Sequence, residues 1–150
     1  MKTSAGLLMF RRLGGHVEVL LAHPGGPYWA NKDDGAWTLP KGEYTAPELP
    51  LAAALREFAE ETGFDAQAPF VDLGEVRMRS GKRIRAWAFE GDGDPALLKS
   101  NDFEVEWPPR SGRIQRFAEV DRVGWFDLQA ARVKLNPAQA PFIDALEKVA

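Results

Sequence analysis

The sequence predicts an α/β sandwich in which a mixed β-sheet lies between helices. Three observations carry this reading. Short apolar runs bounded by turn residues occur in both halves of the chain, a central segment has helical spacing, and a second helical segment follows the last apolar run. At 150 residues and 45% hydrophobic, the chain suits one domain over 1–150 and is short for two.

Residues 6–10 and 17–22 are apolar runs around Arg11-Arg12-Leu13-Gly14-Gly15, the pattern of two strands joined by a turn. Residues 24–34 read as an irregular loop, and 36–39 as a short strand. The spacing predicts a helix over 50–62, with Pro50 suited to its first position and Gly63 to its stop. Residues 73–78 and 83–89 read as strands around Ser80-Gly81-Lys82, and 121–126 as another. Asn136 followed by Pro137 caps and opens a final helix, with Phe142, Leu146 and Val149 spaced by four and three.

Nineteen basic and 22 acidic residues give a formal charge of −3, which argues against a nucleic-acid protein that relies on overall positive charge. With no cysteine, disulfides, zinc–thiolate sites and cysteine nucleophiles are excluded. The N-terminal apolar run meets Arg11-Arg12 before it is long enough for a signal peptide or membrane span, so the expectation is a soluble cytoplasmic protein with no membrane partner.

On an ideal helix with Glu57 at zero, Glu60 falls at roughly −60° and Glu61 at roughly +40°, so three carboxylates share one face. Leu51, Leu55, Phe58 and Thr62 form a second face that can pack on a sheet. Ala53 and Ala54 flank the acids, and their small side chains are expected to leave room for an approaching phosphate. Residues 42–65 hold six acids against one base, Arg56. Hard oxygen donors without cysteine or a nearby histidine suit magnesium or manganese better than zinc. Taken alone, an acid-rich helix is more often a solvated face.

The longer spacing reverses that preference. Gly42, Glu48 and then Arg56-Glu57-Phe58-Ala59-Glu60-Glu61-Thr62-Gly63-Phe64 match every fixed position of the Nudix box, and the chain thereby resembles the Nudix hydrolases. The resemblance implies a Nudix-type α/β/α sandwich and hydrolysis of a pyrophosphate bond. It also implies that Glu57, Glu60 and Glu61, with the Gly42 carbonyl, bind divalent ions, and that Arg56 orients the glutamates. An ordinary ion pair between Arg56 and Glu60, four residues apart, explains that contact equally well. Glu48, just before the helix, can act by favouring its N-terminus. Lys41 is placed to reach a phosphate, although an exposed loop lysine is the common explanation.

Water attacking phosphorus needs a proton acceptor. Family members draw it from the box, here Glu57, or from a later loop or strand, here Glu104 or Glu106. Asp102, Glu104 and Glu106 alternate with Phe103, Val105 and Trp107, so an extended segment projects the acids to one side; an exposed strand face accounts for this as well. Glu119 is a weaker alternative.

Between Val76 and Arg85 lie five bases and no acid: Arg77, Arg79, Lys82, Arg83 and Arg85. Paired around the turn, these like charges repel, so Arg83 and Arg85 are expected to meet substrate phosphates or a second subunit in a homodimer; protection of a sheet edge is the alternative. Residues 107–113 carry Arg110 and Arg113 beside Trp107 and two prolines, a segment able to close over a nucleotide. Trp29 and Tyr28 are candidates to stack on a base.

The entry Trp37-Thr38-Leu39-Pro40-Lys41-Gly42 resembles that of Nudix enzymes acting on dinucleoside polyphosphates and diphosphoinositol phosphates. The tyrosine that often follows the box in the former is absent, with Arg79, Ser80 and Gly81 nearby, as is the proline typical of ADP-ribose hydrolases. The expected substrate is a small nucleotide or polyphosphate, such as diadenosine tetraphosphate, with ADP-ribose or nucleoside triphosphates as alternatives. A Nudix-fold nucleotide sensor is a different class, against which the intact acid set speaks. A third possibility, an RNA 5′-end pyrophosphohydrolase, finds little support in the net charge and the lack of a broad basic surface.

Overall fold

The structure, a computed structural model, describes residues 3–150; Met1 and Lys2, the start of the expected domain and of the N-terminal apolar run, lie outside the described residues. Eight strands form: β1 (Thr3–Leu13), β2 (His16–Pro24), β3 (Lys41–Glu43), β4 (Val71–Arg77), β5 (Arg83–Glu90), β6 (Asp102–Glu106), β7 (Ile114–Ala118) and β8 (Val120–Asp127). Three helices accompany them, α1 (Pro50–Thr62), α2 (Leu128–Lys134) and α3 (Ala140–Val149).

The main sheet runs β4-β5-β1-β2-β8, with β3 also paired to β1. It is mixed, because β1 and β5 are parallel and the other pairs are antiparallel. Along β1, Ala5, Leu7 and Met9 pack with Ala53, Ala54 and Phe58 of α1, while Leu8 and Phe10 pack with Phe142, Ile143 and Leu146 of α3. Side chains alternate across a strand, so one apolar run supplies both cores. The result is the α/β/α sandwich the sequence predicts.

Helix α1 has the predicted bounds. Pro50 opens it, and Gly63 ends it in the left-handed region at φ 75°, its N–H donating to the Ala59 carbonyl at 2.8 Å. Ala53 and Ala54 are fully buried under this helix. They let α1 approach β1 closely and do not leave space for a phosphate, which corrects the expectation from the helical wheel.

Elsewhere tertiary pairing reshapes the elements. Trp37 and Thr38 form only isolated bridges, to Leu135 and Ala22, in place of a strand over 36–39. Helix α2, absent from the sequence reading, is two turns long and starts directly from β8, with the Asp127 carboxylate accepting the Ala130 N–H at 2.7 Å. Asn136 caps a single 3-10 turn, Pro137–Gln139, ahead of α3. Val149, expected on the packed face, is 54% exposed because it lies at the helix end beyond the sheet-covered residues. Residues 102–106 are extended as expected, but they pair with β7 in a two-stranded sheet separate from the main one.

Candidate active site

The site forms where the outward face of α1 meets β3. Glu57 lies so close to Gly42 that a Cβ built on that glycine would fall on the Glu57 carboxylate carbon and both its oxygens. Any side chain at position 42 would drive the Glu57 carboxylate from this place. Glu61 receives the backbone N–H of Lys41 and lies near the Lys41 ammonium, yet burial dominates and pushes its carboxyl up to about 8. Burial also raises the Glu57 carboxyl, against the opposing charge of Arg56. Glu119, between β7 and β8, is raised by burial with the Glu57 charge adding to it. Three acids therefore share a place that resists their full ionisation.

Arg56 sits among them. Its guanidinium grips Glu48 with two bonds, Nε at 2.8 Å and Nη2 at 2.9 Å, and extends Nη1 to Glu57 at 2.9 Å and to Glu60 at 3.4 Å. Its pKa is raised chiefly by Glu48. The pairing that matters most is thus with Glu48, not the helical pair with Glu60, and Glu48 works through Arg56 more directly than through the helix terminus. Among the described residues, no three carboxylate or imidazole groups converge as a finished ligand cage. The donor chemistry nevertheless fits a divalent cation: hard oxygens from Glu57, Glu60 and Glu61, the glycine-lined cradle at Gly42, and like-charge repulsion a cation would relieve.

A cleft of about 490 Å³ is lined by these acids, Glu119, Lys41 and Lys82. A second pocket of about 290 Å³ shares Lys41, Glu61 and Glu119 with it and adds Trp29, Met78 and Asn136. The main chain fixes Glu119: its N–H donates to the Asn101 carbonyl at 2.8 Å and its carbonyl accepts the Gly25 N–H at 2.9 Å. Asn101 in turn donates its N–H to the Glu60 carbonyl at 2.8 Å, linking this loop to α1. Glu119 was the weaker sequence alternative. Its only local signal is an acid at the junction of two extended segments.

Glu104 and Glu106 do not join the cleft. Glu104 pairs with Arg116 at 3.0 Å across the β6–β7 hairpin. The two Glu106 oxygens each accept a backbone N–H at 3.1 Å, from Arg110 and from Gly112, so this residue builds its own turn. Arg110 and Arg113 lie on that turn, exposed, and line neither cleft. Trp107 packs edge-on against Tyr28 with ring centroids 5.1 Å apart, which joins the two loops. Trp29, by contrast, lines the second pocket.

Two arginines of the basic hairpin are paired from within it. Arg83 meets Glu75 at 3.6 Å, and Arg85 meets Asp72 at 2.6 Å. These acids precede the all-basic stretch, and strand register brings them within diagonal reach, with Glu75 opposite Arg85 and Asp72 opposite Trp87. The charges of Arg83 and Arg85 are thereby met by β4. Lys82 is the hairpin base that reaches the cleft, where it also pairs with Glu43 at 3.2 Å.

A family model, the NUDIX domain, matches residues 2–146. The chain belongs to the NUDIX family. Enzymes of this family generally use divalent metal ions. The fold is shared with an Ap4A hydrolase of C. elegans solved as a binary complex, at 20% identity and TM-score 0.64 over 99% of this chain and 96% of that chain. The NUDIX domain of Shewanella oneidensis NrtR, solved with ADP ribose, aligns at 17% identity and TM-score 0.66 over 97% and 86%. A MutT protein of Methanosarcina mazei aligns at 21% identity and TM-score 0.63 over 98% and 93%. Among curated proteins, an octanoyltransferase of Myxococcus xanthus is 35% identical over 101 residues, 67% of this chain. The match spans a quarter of that protein's length. No helix among the described residues of this Nudix domain is long and apolar enough to cross a membrane.

Proposed function

We propose that the protein hydrolyses a phosphoanhydride bond in a nucleoside diphosphate linked to another moiety, with a dinucleoside polyphosphate such as diadenosine tetraphosphate as the preferred class. The observation that carries this reading is the continuity of the two clefts. The carboxylate cleft and the Trp29 pocket share Lys41, Glu61 and Glu119, so a polyphosphate and an attached planar base have adjoining places.

Magnesium, with manganese as a substitute, would be held by Glu57, Glu60, Glu61 and the Gly42 carbonyl; when bound it supplies positive charge at the phosphoryl oxygens and acidifies the attacking water. Arg56 orients Glu57 and Glu60 while Glu48 fixes the guanidinium plane. Glu119 or Glu57 accepts the water's proton; the burial that raises both carboxyls makes each a better proton acceptor. Lys41 and Lys82 neutralise the phosphate chain, and Trp29 offers a face on which a base can stack.

The test is a substrate panel of dinucleoside polyphosphates, ADP-ribose, nucleoside triphosphates and diphosphoinositols, with magnesium and with products identified by mass. Release of nucleotide from a dinucleoside polyphosphate, abolished by Glu60→Gln with Glu61→Gln, is the expected result. Preferential cleavage of ADP-ribose, the ligand of the NrtR domain, would select that second reading. Nucleotide binding without turnover across the panel would make the protein a sensor.

A further inference from the structure

His23 is fully buried at the end of β2, and both its ring nitrogens face acceptors. Nδ1 lies 2.8 Å from Asp121 Oδ1, and Nε2 lies 2.7 Å from the Lys32 carbonyl oxygen. A carbonyl oxygen cannot donate, and an ionised carboxylate cannot either. A neutral imidazole has one N–H and can satisfy only one of them. The Asp121 carboxylate charge holds that one proton at Nδ1, so the Nε2 lone pair would point at the Lys32 oxygen.

Lys32 belongs to the turn that presents Trp29. Its N–H donates to the Trp29 carbonyl at 3.0 Å, while the Trp29 N–H donates to Gly26 at 3.3 Å. Hydrogen bonds thus run from the buried ring through one residue, Lys32, to Trp29, which lines the second pocket. The other charged ties of this loop lie beyond Lys32: Asp33 accepts from Trp37 Nε1 at 2.8 Å and from Lys134 at 2.7 Å, and Asp34 from Lys134 at 2.9 Å. They anchor the far end of the loop; Gly25 on Glu119 and Tyr28 against Trp107 hold its near end, and His23 holds the Lys32 carbonyl between them.

We propose that His23, in its doubly protonated form, is a positioning residue that holds Trp29 against the pocket beside Glu61 and Glu119. This rests on the reading that the pocket receives the base of the substrate. The groups around the ring are few. Strand β8 contributes Asp121 and Arg122, whose Nη1 is 3.7 Å from the same Asp121 oxygen and whose guanidinium lies 5.2 Å from the Trp37 ring centroid. The loop contributes the Lys32 carbonyl, with the Lys32 ammonium turned away over Trp29 at 5.0 Å, and the Asp33 carboxylate is taken by Trp37 and by Lys134 of α2. Trp37 itself meets the His23 ring edge-on at 5.2 Å. Loss of the Nε2 proton, with the Nδ1 proton retained by the Asp121 charge, therefore breaks the Lys32 contact and loosens the Trp29 turn.

The test uses the full chain. Nitrogen-15 shifts of the His23 ring report whether both nitrogens carry protons. The Trp29 emission, taken as the difference between the native protein and Trp29→Phe, reports the turn. Both nitrogens protonated at pH 6, with the Trp29 emission changing as pH rises in step with loss of one ring proton, is the expected outcome. His23→Gln, which has one donor and one acceptor, should abolish that step; Asp121→Asn should move it to lower pH and serves if the glutamine variant does not fold. With magnesium and the substrate identified by the panel, KM should rise about fivefold across the same step with kcat little changed, the effect of one hydrogen bond. Glu61 and Glu119 titrate in both native and His23→Gln proteins, so their contribution is removed by comparing the two. A ring neutral throughout, or a Trp29 emission unmoved while the ring titrates, overturns the proposal. Coupled ring and emission changes with a flat KM would instead overturn the pocket's assignment to the base.

Discussion

The Glu57 carboxylate occupies the space that a side chain on Gly42 would need. A helix residue and a strand residue fifteen positions apart are therefore fitted to each other, and the glycine serves the acid as much as its own backbone. Gly42→Ala should push Glu57 off its contact with β3 and lower magnesium-dependent turnover by roughly 10- to 100-fold, the range for loss of a supporting contact at a metal site. Retained turnover with normal magnesium dependence would show that the fit is dispensable.

The metal-free protein should lose stability as pH rises. The Glu61 carboxyl stands at about 8 in the folded chain against an ordinary 4.5, so between these values the folded state holds a proton that the unfolded state has released. Stability is then greatest below 4.5 as far as this group is concerned and falls toward pH 8, by at most about 1.4 kcal/mol per pH unit per proton. Glu57 and Glu119 act in the same sense. Thermal melts from pH 5 to 8 should show a falling Tm that Glu61→Gln flattens and magnesium restores at pH 8. An identical slope in the glutamine variant would remove Glu61 as its source.

Arg56 should matter to chemistry far more than to folding. Its pairs are largely exposed, with 40% of its side chain open, so Arg56→Ala should change stability by about 1 kcal/mol or less. It should lower magnesium affinity or kcat by about tenfold, because Glu57 and Glu60 lose the group that orients them. Lysine should not rescue it, since only the planar fork holds both Glu48 oxygens and Glu57 at once. Rescue by Arg56→Lys would reduce the residue to a point charge.

For the basic hairpin, position in the cleft separates the residues. Arg83→Gln with Arg85→Gln should leave KM within about twofold, because Glu75 and Asp72 already hold both side chains. Lys82→Gln should raise KM for a polyphosphate several-fold, about 1 kcal/mol for one charged contact. Measured KM values in the reverse order would restore Arg83 and Arg85 as phosphate ligands.

What the sequence by itself determined was local or periodic. The 3.6-residue period put Glu57, Glu60 and Glu61 on one face of α1, Pro50 and Gly63 bounded that helix, and the apolar runs 6–10 and 17–22 around a turn marked a pair of strands. Those features depend on neighbours within a few residues, so composition and spacing carry them. The tertiary structure decided what depends on pairing and register. It brought Glu119 beside Glu57 and Glu61, and it sent Glu104 and Glu106 into a separate hairpin where they pair or cap. It set Asp72 and Glu75 within reach of the arginines, buried Ala53 and Ala54 at the closest approach of helix and sheet, and placed His23 between Asp121 and Lys32. Each involves residues whose meeting is fixed by which strands pair and where loops close, and sequence spacing holds no record of that.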